Sequence, residues 1–148
     1  MSDTSIATRI VVGIDASEHA RRALAWARDE ARLRGATLEV VHAYPPPEVL
    51  LMPAVLALPS DTELEAAAAA VIEEALEEVG GFEGIPLIRT VRAGGAAGIL
   101  CHAADDAALV VVGTRGRGGF KELLLGSVSH QVATHASCPV VIVGGESR

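Results

Sequence analysis

Ala108-Leu-Val-Val-Val112, running straight into Gly113-Thr-Arg-Gly116, is the stretch on which the fold turns. Side chains alternate across a strand, so a strand with one wet face shows a polar residue at every second position. Here five successive residues are apolar. Such a run fits a strand buried on both faces, as in a parallel sheet covered by helices on each side. Working outward, Arg9–Ile14 (RIVVGI), Thr37–Ala43 (TLEVVHA) and Val140–Val143 read the same way, and Ile85–Val91 (IPLIRTV) makes one more. Its early proline suits a strand start or a sheet edge, where a missing N–H costs no ladder bond.

Helical spacing fills the gaps. Ala20, Ala23, Leu24, Ala27 and Ala31 recur on one helical face, and Gly35 closes that helix. Asp61 is the expected N-cap of a second, alanine-rich helix that runs to about Val79, with acids in its first turn matching the helix dipole. Ala96–Ala104 and Ser127–His135 give two shorter helices. The order is β-α-β-α-β-α-β-α-β in a single domain spanning 1–148, an α/β chain with three layers. Residues 1–7 are expected to be disordered, and residues 44–60, with five prolines and many large apolar side chains, to form a variable loop.

Composition narrows the function classes. Of 148 residues half are apolar, yet Trp26, Tyr44, Phe82 and Phe120 are the only aromatics, so the core must be aliphatic. A chain of this length buries about two thirds of its surface, enough for one core without staples. Two cysteines, Cys101 and Cys138, exclude a disulfide framework and a multi-cysteine metal site; Cys138, before Pro139, reads as a buried small apolar residue. His130, His135 and Cys138 have spacings too thin for a metal site, so structural or solvated histidine is expected. Met1–Ser5 lacks the basic and apolar regions of a signal peptide, and no apolar run approaches the roughly 20 residues of a membrane span. A cytoplasmic protein with no membrane partner is the expectation.

The net charge is −7, and residues 61–83 carry eight of the nineteen acids without a base. Elsewhere eleven acids meet twelve bases. Few aromatics and an acidic total argue against a nucleic-acid binder, which needs basic tracks and stacking platforms. They leave room for one local anion site, because Arg115, Arg117 and Lys121 cluster within seven residues.

That cluster lies in Gly113-Thr-Arg-Gly116-Arg-Gly-Gly-Phe-Lys121-Glu-Leu-Leu-Leu-Gly126-Ser127-Val-Ser129, between a strand and a helix start. Glycines let backbone N–H groups approach a phosphate, helix N-termini add a favourable dipole, and Ser127 and Ser129 offer hydroxyl donors. A glycine-rich surface loop with Ser127 as a plain N-cap accounts for the local chemistry equally well. Neither GxxxxGK[ST] nor GxGxxG is present.

The spacing Gly113-x2-Gly116-x9-Gly126-Ser127, together with RIVVGIDAS, VVVGTRGRGG, LLLGSVS and CPVVIV in that order, resembles the ATP-binding branch of the universal stress protein family. The likeness extends over nearly the whole chain, with residues 44–60 as the departure. It implies a Rossmann-like fold, similar to the adenine nucleotide alpha hydrolases, with a five-stranded parallel sheet ordered 3-2-1-4-5. It also implies an ATP site: Ile14 and Ala43 along the base, Asp15 on the adenosine part, and Val112 at the ribose through its backbone. Gly113, Gly116, Gly126, Ser127, Val128 and Ser129 match the family's ribose and phosphate positions. Arg115 and Arg117 are within reach of the phosphates, which Mg²⁺ would bridge, and His130 lies close by. In the implied sheet order, winding reverses between the first and fourth strands, where open α/β sheets bind ligands. Asp15 also has a plainer role as N-cap of the first helix, for which Ser17 competes.

Three rival classes fail on their own residues. A receiver domain needs an aspartate ending the third strand and a lysine ending the fifth, where Thr90-Val91-Arg92 and Val143-Gly144 stand. A flavodoxin-like carrier needs a phosphate loop after the first strand and aromatics over the flavin. An adenylating enzyme needs a glycine-serine loop where Gly13-Ile-Asp-Ala-Ser17 stands. With no clear base for water, the expected role is ATP binding in stress response or signalling rather than enzymatic turnover, a slow ATPase being the alternative. The last strand is apolar on both faces at a sheet edge, so pairing of two copies through it, a homodimer, is expected. The protein partner of such a signalling role is not legible.

Overall fold

A computed structural model describes residues 8–46, 59–115 and 125–145. Five strands, β1 (Arg9–Gly13), β2 (Thr37–Tyr44), β3 (Leu87–Ala93), β4 (Leu109–Gly113) and β5 (Val140–Val143), form one sheet ordered β3-β2-β1-β4-β5. Every pairing is parallel. Four helices alternate with them: α1 (Glu18–Arg34), α2 (Asp61–Val79), α3 (Ala96–Ala103) and α4 (Ser127–His135). This is the sheet order and the α/β class expected from the sequence.

The continuous apolar strands have their reason in two cores, one on each face. Ile10, Val12, Leu38, Val40 and Val111 pack against α1 and α2, whereas Val11, Val41, Val110 and Val112 pack with Leu100 of α3 and Val132 of α4. Val11, Val12, Val110 and Val111 are wholly excluded from solvent, each worth about 1.5–3 kcal/mol relative to exposure. The alanine face of α1 lets that helix lie close on the sheet, since Ala23, Ala27 and Ala31 are fully buried there. Gly35 ends α1 at φ 63°, and its N–H reaches back to the carbonyls of Ala31 and Arg32.

Several local expectations are corrected. Ser60, not Asp61, is the N-cap of α2: its hydroxyl accepts from Glu63 N–H while the Glu63 carboxylate accepts from Ser60 N–H. That reciprocal box satisfies two donors, which Asp61 inside the first turn could not do. Ser17 caps α1, accepting from Ala20 N–H, so Asp15 is released from that duty. β3 begins at Leu87, two residues late, because Ile85 is still donating into a turn at Phe82. Cys138 is half-buried rather than buried, lying against the α3–α4 core. The apolarity of β5 on both faces is met within the chain: Val141 and Val143 join the α1–α2 core, Val140 and Ile142 the α3–α4 core. Its outer edge is a separate question. The expectations for residues 1–7, for most of the 44–60 loop, and for Gly116, Arg117 and Lys121 lie outside the described residues.

Candidate functional site

Sheet order creates the site. β1 and β4 are neighbours, and the chain leaves their carboxyl ends in opposite directions, toward α1 on one face and α4 on the other. Between them opens a cleft of about 570 Å³ of empty space, part of it continuous with solvent. Ile14, Asp15, Ala43, Val112, Gly113, Arg115, Val128 and Ser129, all candidates from the sequence, line it. Gly126 and Ser127 stand at the start of α4, next to Val128, without lining it directly.

The wall is built from three chain ends. After β1, Asp15 Oδ1 accepts from Ser17 N–H at 2.8 Å, bending the chain into α1. After β4, Thr114 ties both ends of the glycine-rich loop together. Its N–H donates to Val143 O at 3.1 Å, and its carbonyl accepts from Gly126 N–H at 2.6 Å and from the Ser129 hydroxyl at 3.0 Å. Residues 114 and 126 are therefore adjacent although eleven residues separate them in sequence. From β2, Val41 and Ala43 supply the apolar side.

Helix ends differ in a telling way. α1 and α2 carry serine caps, but α3 and α4 begin at Gly95 and Gly126 with no side-chain cap hydrogen bond. The uncapped starts of both α3, through Ala96, and α4, through Val128 and Ser129, open on this cleft. Backbone N–H groups in the first turn of a helix have no intrahelical acceptor, and with the helix dipole they favour an anion.

One hydroxyl assignment is corrected. The buried Ser129 donates its proton to the carbonyls of Thr114 and Gly126, at 3.0 and 3.1 Å, so its side chain braces the loop instead of offering a donor to a ligand. Ser127 Oγ, which is exposed, accepts from Gln131 Nε2 at 3.2 Å and keeps its own proton available. His130 is exposed and follows on α4, its N–H already bonded to Gly126 O.

Gly13, Ser17, Ala20, Val41, Ala96 and Leu100 also line the cleft and were not among the site residues expected from the sequence. Val41 was within reach, because it lies two residues from Ala43 on the same strand face. Ala96 and Leu100 are one helical turn apart, but nothing local says that α3 leans over β1. Among the described residues no group of three or more His, Cys, Asp or Glu is placed to hold a metal. The two thiols lie near each other on the α3–α4 side. Burial raises the pKa of Cys101, with Asp105 adding to it. Burial also raises that of Cys138, Asp105 and Cys101 adding to it while Arg9 and a Val110 backbone hydrogen bond oppose it.

Comparison with known proteins agrees with this architecture. Residues 7–144 match the model of the universal stress protein family. Universal stress protein MT2698 of Mycobacterium tuberculosis is 38% identical over 155 aligned positions, which cover 99% of this chain and 50% of that protein. The chain thus spans about half the length of the mycobacterial relatives it matches. Two solved structures share the fold. One is a universal stress protein in complex with cAMP, with TM-score 0.66, 27% identity, and coverage of 92% of this chain and 95% of that one. The other is the universal stress protein from Archaeoglobus fulgidus in complex with dAMP, with TM-score 0.57, 26% identity, and coverage of 93% and 98%.

Proposed function

The chain belongs to the universal stress protein family, and from that premise we propose that it binds ATP in the β1–β4 cleft and holds it with little or no turnover. The observation that carries this reading is the pair of uncapped helix starts facing one cleft with an apolar side. An adenine base needs the apolar side, here Ile14, Val41 and Ala43. Phosphates need the N–H groups at the start of α4, the Ser127 hydroxyl and the charge of Arg115. Asp15 takes the adenosine part, Val112 and Gly113 approach the ribose, and Val128 and Ser129 act through backbone N–H groups. Gly116 belongs to the same phosphate loop. The cAMP and dAMP complexes of the two structural neighbours support an adenine ligand for this chain too.

Mg²⁺ fits as an ion carried by the phosphates, for which the donor set here is N–H and hydroxyl rather than carboxylate. Asp15 is the one acid among the described residues lining the cleft, and its Oδ1 already accepts from Ser17 N–H. A water attacking phosphate has no evident base among those residues, which favours binding over hydrolysis. The role that follows is nucleotide-dependent stress response or signalling in the cytoplasm. The chain acts as a homodimer in this reading, through the outer edge of β5.

Gly126→Asp tests the site. A carboxylate at the start of α4 stands where a phosphate must lie, and repulsion with blockage weakens ATP at least about tenfold, or 1.4 kcal/mol. Calorimetric titration of the folded variant reads this. Unchanged affinity would remove the loop from the site.

A further inference from the structure

His42 of β2 does not line the cleft, yet it holds one of its walls in place. The β1–β2 ladder ends with Gly13 opposite Val41. Ile14, the next residue, still donates its N–H to Val41 O at 2.9 Å. Its carbonyl instead meets the His42 ring, with Nδ1 at 2.9 Å from Ile14 O. A carbonyl only accepts, so Nδ1 bears the proton. A side chain thus supplies the donor at the point where the backbone leaves the sheet, and the chain is free to turn toward Asp15 and α1.

From this we propose that His42 is a positioning residue for the nucleotide: its Nδ1–H fixes the Ile14 carbonyl and thereby aims the Ile14–Asp15 peptide into the cleft. The peptide unit is planar and stiff, so anchoring its oxygen also sets the direction of the Asp15 N–H and the place of the Asp15 Cα. Ile14 and Asp15 both line the cleft, and Asp15 then anchors Ser17 N–H. His42 itself is half-buried on the β2 face it shares with Leu38 and Val40, whereas Val41 and Ala43 take the cleft side. It acts through Ile14 and needs no contact with ligand. The inference rests on the nucleotide reading above and adds to it the residue that orients the adenosine wall.

The test compares wild type with His42→Asn, His42→Gln and His42→Leu. The asparagine amide nitrogen stands near the place of Nδ1, whereas the glutamine nitrogen stands nearer that of Nε2. Calorimetric titration with Mg²⁺–ATP should find His42→Asn within about twofold of wild type and His42→Gln and His42→Leu weaker by about fivefold, as the loss of one such hydrogen bond implies. Thermal unfolding of the nucleotide-free proteins should place the Asn and Gln variants within about 3 °C of each other, separating orientation from stability. Equal ATP affinity of those two variants, or an Asn variant as weak as the Leu one, overturns the proposal. Amide hydrogen exchange at Ser17 gives a readout without nucleotide: protection kept in wild type and Asn but lost in Gln and Leu supports the anchor, and uniform protection refutes it. Failure of every form to bind ATP would overturn the nucleotide reading, while the exchange data would still decide whether His42 positions Asp15.

Discussion

Gly113→Ala isolates the contact that brings α1 against the end of β4. A Cβ built on Gly113 would lie 2.8 Å from the His19 carbonyl oxygen and 3.0 Å from its carbonyl carbon. Gly113 is not among the glycines with positive φ, so the substitution meets no backbone strain and the cost is steric. The obstructing atoms belong to the first turn of α1, so relief requires moving that helix rather than turning a side chain. Overpacking of this kind costs about 1–3 kcal/mol, against about 0.4–1 kcal/mol gained from a less flexible unfolded chain. Taking the centre of each range, the net is a loss of about 1.3 kcal/mol, which for a chain of this size lowers Tm by roughly 3–5 °C. Gly13→Ala is the comparison, because its Cβ would meet the Leu100 side chain, at 2.6 Å, and no backbone. Leu100 can change rotamer, so this variant should be the less destabilised and should narrow the cleft that Leu100 lines. Thermal and urea unfolding measure both, with the urea slope expected to stay constant. A Gly113→Ala protein as stable as wild type, or more stable than Gly13→Ala, would show that α1 does not press on β4 as described.

ATP held without a positioned base should turn over at below roughly 0.1 s⁻¹, far under the enzyme median of about 10 s⁻¹; phosphate release above about 1 s⁻¹ that Asp15→Ala abolishes would make the protein an ATPase. At the sheet edge, Val110 N–H donates to Pro139 O and Thr114 N–H to Val143 O, so in a parallel ladder the backbone groups of Val140 and Ile142 point outward. Light scattering after gel filtration should therefore find a dimer that Ile142→Pro converts to folded monomer, because proline removes an outward N–H without touching the β4–β5 ladder; a wild-type mass near 15.2 kDa would refute the pairing. With both thiol pKa values raised, chiefly by burial, Cys101 and Cys138 should alkylate more slowly at pH 8 in the folded protein than in urea. The sign for stability follows: the folded state favours the neutral thiols, so stability falls as pH rises above about 8.5. Equal alkylation rates would contradict the burial.

Sheet class was legible in the strands themselves. Ala108–Val112 and Val140–Val143 have no polar face, and such strands have few homes other than a sheet covered on both sides. The helix end at Gly35 was legible for a similar reason, since its backbone geometry is a local demand met at φ 63°, and the second helix, expected to stop at about Val79, is closed in the same way by Gly80 at φ 66°. Part of the cleft lining was legible too, since Val112, Gly113, Arg115, Val128 and Ser129 fall in one glycine-rich stretch between a strand and a helix start. The sheet order and the residues at phosphate positions came through family likeness, not through composition or periodicity. What a linear reading left out depends on elements meeting from far apart. Ala96 and Leu100 line the cleft because α3 packs over β1. The Ser129 proton is taken because Thr114 curls back beneath it, and His42 matters because β1 leaves the sheet beside it. Periodicity and composition record how each residue relates to its near neighbours. Which hydrogen bonds are already spent, and which helix starts are left open to a ligand, is decided only when distant segments are brought together, because a donor's partner is chosen by distance in space.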